Sequence, residues 1–152
     1  TGELDAGFGT DGKAFASFGP TDNAASFIAD GTGFLISGDC RSDASNDYCV
    51  ARLTSAGLPD PAFGSGTGKV IFPIGTGAFR PVAALSATGR IWLAGGCVVG
   101  GVYQFCIARL MPDGSLDTTF SGDGMSAAAV NGRRVPSIGI IAAAATMVPK
   151  MT

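Results

Sequence analysis

The four cysteines are the residues whose spacing most directly suggests chemistry. They form two pairs, Cys40 with Cys49 and Cys97 with Cys106, and the members of each pair lie nine positions apart. Each pair brackets a turn predicted between two strands, and a hairpin there brings the two Cα atoms within the roughly 4.4–6.8 Å that a disulfide requires. Equivalent positions on stacked sheets lie about 10 Å apart. Of the three pairings that four cysteines allow, we therefore predict Cys40–Cys49 and Cys97–Cys106.

Zinc binding and free buried thiols are the alternatives to these disulfides. Structural zinc sites usually take cysteines separated by about two to four residues, and the spacing of nine found in both pairs is wider. Disulfides persist in oxidising compartments. The predicted pairs therefore indicate a secreted, cell-surface or periplasmic protein.

The residues needed for the common catalytic mechanisms are scarce. The chain has no histidine, which excludes Ser-His-Asp and Cys-His catalysis and histidine-ligated zinc. Thr1 could act as an N-terminal nucleophile with its own amine as base, but Gly2 and Glu3 offer little of the supporting cluster that this chemistry needs. We predict no catalytic residue, no cofactor, no metal ligand and no enzyme activity.

Asp-Gly turns are the candidates for a cation site. Asp11, Asp113 and Asp123 each precede a glycine. Ca²⁺ takes six to eight oxygen ligands, yet no D-x-D-x-D-G loop occurs, and Thr67 stands at the equivalent turn of the middle repeat. Turn formation is the expected role of these aspartates, with calcium binding as the less favoured alternative.

Two arginines and one tryptophan could contact a ligand. Arg52 and Arg109 lie 57 positions apart, at equivalent points of a predicted strand. An ion pair with an aspartate of the following connector is the preferred interpretation. Trp92 has Leu35 as its counterpart, so it is not a repeated platform for stacking on sugars.

An internal repeat explains why these residues recur. Cys97 lies 57 positions after Cys40, and Cys106 lies 57 positions after Cys49. Self-similarity at a fixed period is the signature of repeat architectures. A second motif, G-x-x-D-x-x-F, occurs three times at nearly the same period. Its copies are Gly2-Asp5-Phe8, Gly57-Asp60-Phe63 and Gly114-Asp117-Phe120.

Each full repeat is predicted to contain four short strands, because apolar runs of four to eight residues alternate with glycine-rich turns. Four strands per repeat are typical of a β-propeller blade. We therefore predict an all-β fold of tandem four-stranded antiparallel blades, with two full repeats and a partial third. The predicted strands are 13–18, 24–29, 33–37 and 48–53 in the first repeat, and 69–74, 80–86, 90–94 and 103–110 in the second.

The repeat divides the chain into four segments. Residues 1–11 form a connector from a preceding repeat, 12–67 the first repeat, 68–123 the second and 124–152 a partial third. In the connector motif, the aspartate is expected to cap a turn by accepting backbone N–H bonds, and the phenylalanine to fill the space between adjacent blades. The residues with these structural roles are Asp5, Asp60 and Asp117, and Phe8, Phe63 and Phe120.

Composition excludes two classes of partner. The formal net charge is −2 and charged residues make up 14% of the chain, which argues against a nucleic-acid binder with a concentrated positive surface. No segment reaches the roughly 18 apolar residues of a membrane-spanning helix, so no membrane span is predicted.

Three runs resemble the delta-60 repeat, a tandem propeller-like bacterial repeat. They are the connector 60–70, the G-x-I-x-L-A-G run of 89–95 and the F-x-I-A-R-L-x-x-D-G-S-L-D run of 105–117. The chain departs from the pattern at Pro59, where the connector usually has leucine. The resemblance implies a propeller-like fold and a secreted or surface location, and it implies no agreed activity.

The expected function is a non-catalytic extracellular structural or interaction module. A carbohydrate- or other ligand-binding propeller is the alternative, and an enzyme is less favoured. The partial third repeat has a charge-free apolar run at 138–148, and an unfinished sheet is a template for another strand. We expect a second copy, or neighbouring repeats of a longer chain, to complete it, which would produce a ring or a fibre.

Overall fold

The computed structural model describes residues 2–41 and 45–129, and all regular secondary structure within them is β-strand. Eight strands occur in these two ranges. They are β1 (Thr21–Ala29), β2 (Gly33–Arg41), β3 (Asn46–Thr54), β4 (Lys69–Phe72), β5 (Ala78–Leu85), β6 (Ile91–Val99), β7 (Val102–Leu110) and β8 (Met125–Ala129). No helix long and apolar enough to cross a membrane is found in the part of the chain that the structure describes.

The strands form two antiparallel sheets of four. Sheet 1 has the order β1-β2-β3-β4 and sheet 2 the order β5-β6-β7-β8. The two sheets share their register: Gly38 of β2 lies opposite Cys49 of β3, and Gly95 of β6 lies opposite Cys106 of β7. The predicted all-β fold of four-stranded, propeller-like sheets is confirmed.

Each sheet takes its fourth strand from the start of the next sequence repeat. β4 begins at Lys69 and pairs with β3, and β8 begins at Met125 and pairs with β7. One sheet therefore does not correspond to one of the sequence repeats defined above, although the repeat boundaries themselves stay a prediction.

The predicted strand at 13–18 is absent, and that prediction was wrong. Lys13 forms only isolated bridges, with Gly9 and Thr10. A strand exists only where a neighbouring strand accepts and donates its backbone hydrogen bonds. By analogy with β4, residues 13–18 need the third strand of a preceding sheet, which the described ranges do not contain. Most of the predicted partial third repeat, including the apolar run at 138–148, lies outside the described residues.

The core lies between the two sheets. Leu35, Tyr48 and Val50 of sheet 1 and Ile91 and Leu93 of sheet 2 are completely buried. On β2 and β6 these residues alternate with half-buried neighbours, as the period of two in a β-strand predicts, whereas β3 is buried on both faces from Asp47 to Ala51. Burial also raises the pKa of the Tyr48 hydroxyl, because an apolar environment disfavours the phenolate.

Candidate functional site

The three connector aspartates each close the same turn. One carboxylate oxygen of each accepts the backbone N–H two positions on, at 2.9 Å for Asp5, 2.9 Å for Asp60 and 3.1 Å for Asp117. The carbonyl of each also accepts the N–H of the motif phenylalanine, over 2.9–3.1 Å. Aspartate side chains that bond their own backbone in this way stabilise turns, which is the role that the sequence predicts for them.

Successive connectors stack on one another. The ring of Phe63 is completely buried, and a Cβ atom added to Gly114 would lie 2.8 Å from it. Phe8 bears the same relation to Gly57, at 2.8 Å. Both glycines have positive φ angles, 75° for Gly57 and 88° for Gly114, which glycine adopts without strain. The glycines that open the second and third motifs are therefore the seats for the phenylalanine of the motif before them.

A backbone hydrogen bond accompanies each of these contacts. The N–H of Gly9 donates to the carbonyl of Ala56 over 2.8 Å, and the N–H of Gly64 donates to the carbonyl of Asp113 over 2.8 Å. The sequence analysis above gives the motif glycines no role, although a glycine opens all three copies of the motif and so indicated a structural requirement there.

Phe120 is only half-buried, so the prediction that it is buried between successive sheets was wrong. Its ring packs edge-on against Trp92 with the ring centroids 5.2 Å apart. No connector follows it in the described residues, and hence no glycine lies against its outer side there. A glycine seat alone does not bury the ring, because Phe8 lies against Gly57 and is also half-buried, with its ring edge-on to Phe34 at 5.7 Å.

The two repeated arginines bind the connector aspartates. Arg52 Nε lies 3.0 Å from Asp60 Oδ2, and Arg109 Nε lies 2.8 Å from Asp117 Oδ2. The predicted ion pairs are confirmed. Arg52 also pairs with Asp30 at 2.7 Å, a contact that the repeat could not predict because Ala87 replaces this aspartate 57 positions on.

In sheet 2 the connector aspartate binds a second arginine, so two arginines share one carboxylate there, whereas one arginine binds two carboxylates in sheet 1. Arg90 Nε lies 2.8 Å from the carboxylate of Asp117, whose side chain is 2% exposed. A hydrogen bond from the Thr119 hydroxyl, together with Arg90 and Arg109, holds the pKa of Asp117 well below its usual range. The guanidinium of Arg109 also lies 5.1 Å from the ring centres of both Trp92 and Phe120.

Cys97 and Cys106 form the predicted disulfide, with their Cα atoms 5.8 Å apart. The two residues are diagonal neighbours on β6 and β7, because Cys97 lies opposite Gln104 and Cys106 lies opposite Gly95. This prediction is confirmed.

Cys40 and Cys49 are free thiols, so the structure contradicts the predicted Cys40–Cys49 disulfide. The positions of Cys40 and Cys49 do not explain the missing bond, because the two residues occupy the same diagonal on β2 and β3 as the bonded pair does in sheet 2. Both thiols are at least 96% buried, and the Cys49 thiol donates to the carbonyl of Gly38 over 3.2 Å. Burial raises the pKa of Cys40 to about 11 and that of Cys49 further. Burial does not distinguish the two pairs, because Cys97 and Cys106 are also completely buried.

The Asp-Gly aspartates act in turns. Asp113 accepts hydrogen bonds from the N–H and the hydroxyl of Ser115, at 2.9 and 2.7 Å, and Asp123 accepts the N–H of Met125 at 2.8 Å. Within residues 2–41 and 45–129, no group of three or more acidic or cysteine side chains is placed to hold a metal ion.

An open groove of about 720 Å³ lies beside β4, between the second and third connectors. Its charged residues are engaged within the chain. Lys69 Nζ donates to the carbonyl of Ser17 over 2.7 Å, and Asp113 is bound by Ser115. The groove is therefore a by-product of how the connectors stack.

Comparison with known families supports the fold. A family described as a domain of unknown function (DUF5122) beta-propeller matches residues 87–120, which contain β6, β7 and the third connector. No curated protein and no solved structure matches the chain. Residues 87–120 thus have the sequence of a β-propeller-type repeat.

Proposed function

We propose that the chain is a non-catalytic structural or interaction module built of β-propeller-like repeats of the delta-60 kind. The observation that carries this proposal is the unequal burial of the two sheets. Leu35, Tyr48 and Val50, on the face of sheet 1 that meets sheet 2, are fully buried. The equivalent residues of sheet 2, Trp92, Phe105 and Ile107, are only partly buried. Apolar patches that stay accessible to solvent mark contacts with other proteins.

The engagement of the charged side chains supports a non-catalytic role. Arg52 is bound by Asp30 and Asp60, and Asp117 is bound by Arg90 and Arg109. These ion pairs fasten the connectors to the strands beside them. Their repetition from one sheet to the next is expected of groups that hold a repeat architecture together.

A location outside the cytoplasm is supported by the disulfide. Cys97 and Cys106 are bonded and completely buried, and disulfides of this kind persist in oxidising compartments. The module would then act as a secreted, cell-surface or periplasmic protein.

Assembly would proceed through the partial terminal repeat. Among the strands that the structure describes, β8 is the last of sheet 2, and the apolar run at 138–148 follows it in the sequence. Completion of this repeat by a strand from a second copy, or from neighbouring repeats of a longer chain, would join modules by β-augmentation. Head-to-tail contacts of this type close into rings or propagate as fibres.

Sedimentation velocity of the full chain and of a variant lacking residues 138–152 tests the proposal. We expect the full chain to form species larger than two copies at micromolar concentrations. The truncated variant should lose these species and keep the circular dichroism spectrum of the two sheets. A full chain that sediments as a compact monomer across this range would contradict assembly through the terminal repeat.

A further inference from the structure

Apart from Arg109, which lies opposite Trp92 and is bound by Asp117, the outer face of sheet 2 is largely an apolar surface that the described residues leave partly exposed. On β6 and β7, Ile91, Leu93 and Cys106 point towards sheet 1 and are completely buried. The residues between them point to the other side and are half-buried. We call this side the outer face; its central residues are Val82, Trp92, Ala94, Phe105 and Ile107.

The equivalent face of sheet 1 carries polar side chains beside the core residues Leu35 and Val50 where it meets sheet 2. Ser26 and Ser37 lie opposite each other on β1 and β2, and they reach across to the neighbouring sheet. The Ser37 hydroxyl donates to the carbonyl of Pro81 over 2.7 Å, and the Ser26 hydroxyl accepts the N–H of Ala83 over 2.9 Å. This serine pair therefore satisfies backbone groups of β5.

Two further side chains of the same face also form hydrogen bonds with backbone groups of sheet 2. The carboxylate of Asp39 accepts the N–H of Arg80 over 2.8 Å. The hydroxyl of Tyr48 donates to the carbonyl of Gly96 over 3.2 Å. Four polar side chains thus fasten sheet 1 to sheet 2.

On the outer face of sheet 2, all four are replaced by apolar residues. The register places Val82 opposite Ala94, where sheet 1 has the serine pair, and Phe79 opposite Gly96, where it has Asn23 and Asp39. Phe105 takes the place of Tyr48. The hydrogen-bonding groups that hold one sheet on the next are therefore missing from this face.

The lack of these hydrogen-bonding side chains on the outer face of sheet 2 restricts what can bind to it. β5 is irregular: its register with β6 shifts between Phe79 and Val82, and Arg80 has a φ of 42°. Its exposed backbone groups require the serines and the aspartate of sheet 1. A further sheet with such a strand would bury unpaired N–H and C=O groups against the outer face, which is costly. A regular apolar sheet fits instead.

The outer face itself is such a surface. β6 and β7 pair residue by residue from Ile91 to Val99 without a register shift. The corresponding side of sheet 1 in a second copy is already in use, since Phe8 packs on Phe34 and Ser17 accepts a hydrogen bond from Lys69. We propose that two copies of the chain bind each other through their outer faces, around a two-fold axis.

Two-fold contacts are the commonest in homo-oligomers, and interfaces between identical subunits are more apolar than transient ones. The inference rests on the proposed interaction role and gives that role a surface and a partner. It does not involve residues 138–152, so the two proposals can fail separately.

The full chain tests it, because Trp92 is the single tryptophan and lies on the outer face. Sedimentation velocity over a concentration series should show a change from one chain to two. Over the same series, quenching of Trp92 fluorescence by acrylamide should fall several-fold, because the dimer shields the indole.

Substitutions on the two sides of the molecule provide the specific comparison. Because of the two-fold axis, Phe105→Glu places two carboxylates in the interface, and it should raise the dissociation constant of the dimer at least tenfold. Ala128→Glu, on an exposed position opposite Phe105, should do the same without disturbing the core. The matched control is Ile71→Glu, which changes an apolar residue that is 41% exposed on sheet 1 and should leave the dimer intact.

Four results would overturn the inference. Two concern the mass: a single chain at every concentration, or a dimer that both outer-face variants retain. The third is a Trp92 that is shielded equally in monomer and dimer, which would mean that the chain covers its own outer face. The fourth is an association that is lost only when residues 138–152 are removed. The last result would leave assembly through the terminal repeat standing. A truncated chain that still forms a dimer sensitive to Phe105→Glu would instead support the outer face and contradict that assembly.

Discussion

Truncation of Phe63 to alanine should lower the free energy of unfolding substantially. The ring is completely buried and fills the space over Gly114, where even an added Cβ would approach it to 2.8 Å. Removing such a ring costs roughly 3–5 kcal/mol, because apolar area is exposed and a cavity remains. A loss of about 3 kcal/mol lowers the melting temperature of a domain of this size by about 6–12 °C.

Phe120 provides the matched control, because it has the same place in the next connector and is only half-buried. Phe120→Ala keeps the turn at Asp117 and loses mainly the contact with Trp92, so its effect should be roughly half as large. Urea unfolding followed by circular dichroism measures both values. Equal effects for the two variants, or wild-type stability of Phe63→Ala, would refute the stacking of connectors.

Three further predictions follow from the same contacts. Gly114→Ala should destabilise the fold, because its Cβ would approach the Phe63 ring to 2.8 Å at a φ of 88°; wild-type melting would contradict the glycine seat. Cys40 and Cys49 should resist iodoacetamide in the native protein and react after unfolding in urea, because both are buried with raised pKa values; rapid native alkylation, seen by mass spectrometry, would be contrary to this. Because the pKa of Asp117 is lowered from 3.8, its stabilising contribution should be complete above that pH and decline as the pH falls further. The melting-temperature difference between wild type and Asp117→Asn should shrink in acid, and a constant difference would argue against the ion pairs.

The period of 57 residues accounts for what could be predicted from the sequence. It places Cys97 and Cys106 on one hairpin and Arg109 beside Asp117, because residues at the same phase of a repeat occupy the same position in each sheet. The strand pattern also predicts sheets of four, because short apolar runs between glycine turns leave few other arrangements.

The remaining features depend on tertiary contacts that no local pattern records. Residues 13–18 have the composition of a strand, but a strand also needs a neighbour. Phe120 has the same motif as Phe63 but is only half-buried, and within the described residues no connector packs against it. The free thiols of Cys40 and Cys49 share the register of the disulfide, so their oxidation state cannot be predicted from spacing. The partner of Asp30 was missed because that aspartate occurs in one repeat only.

The native mass of the full chain, measured by light scattering from low to high micromolar concentration, tests the interaction role most directly. The half-buried apolar outer face of sheet 2 and the strand β8 (Met125–Ala129), the last of that sheet within the described residues, predict a mass that rises above one chain as the concentration increases. A mass of one chain throughout this range, with the melting temperature also independent of concentration, would contradict the account.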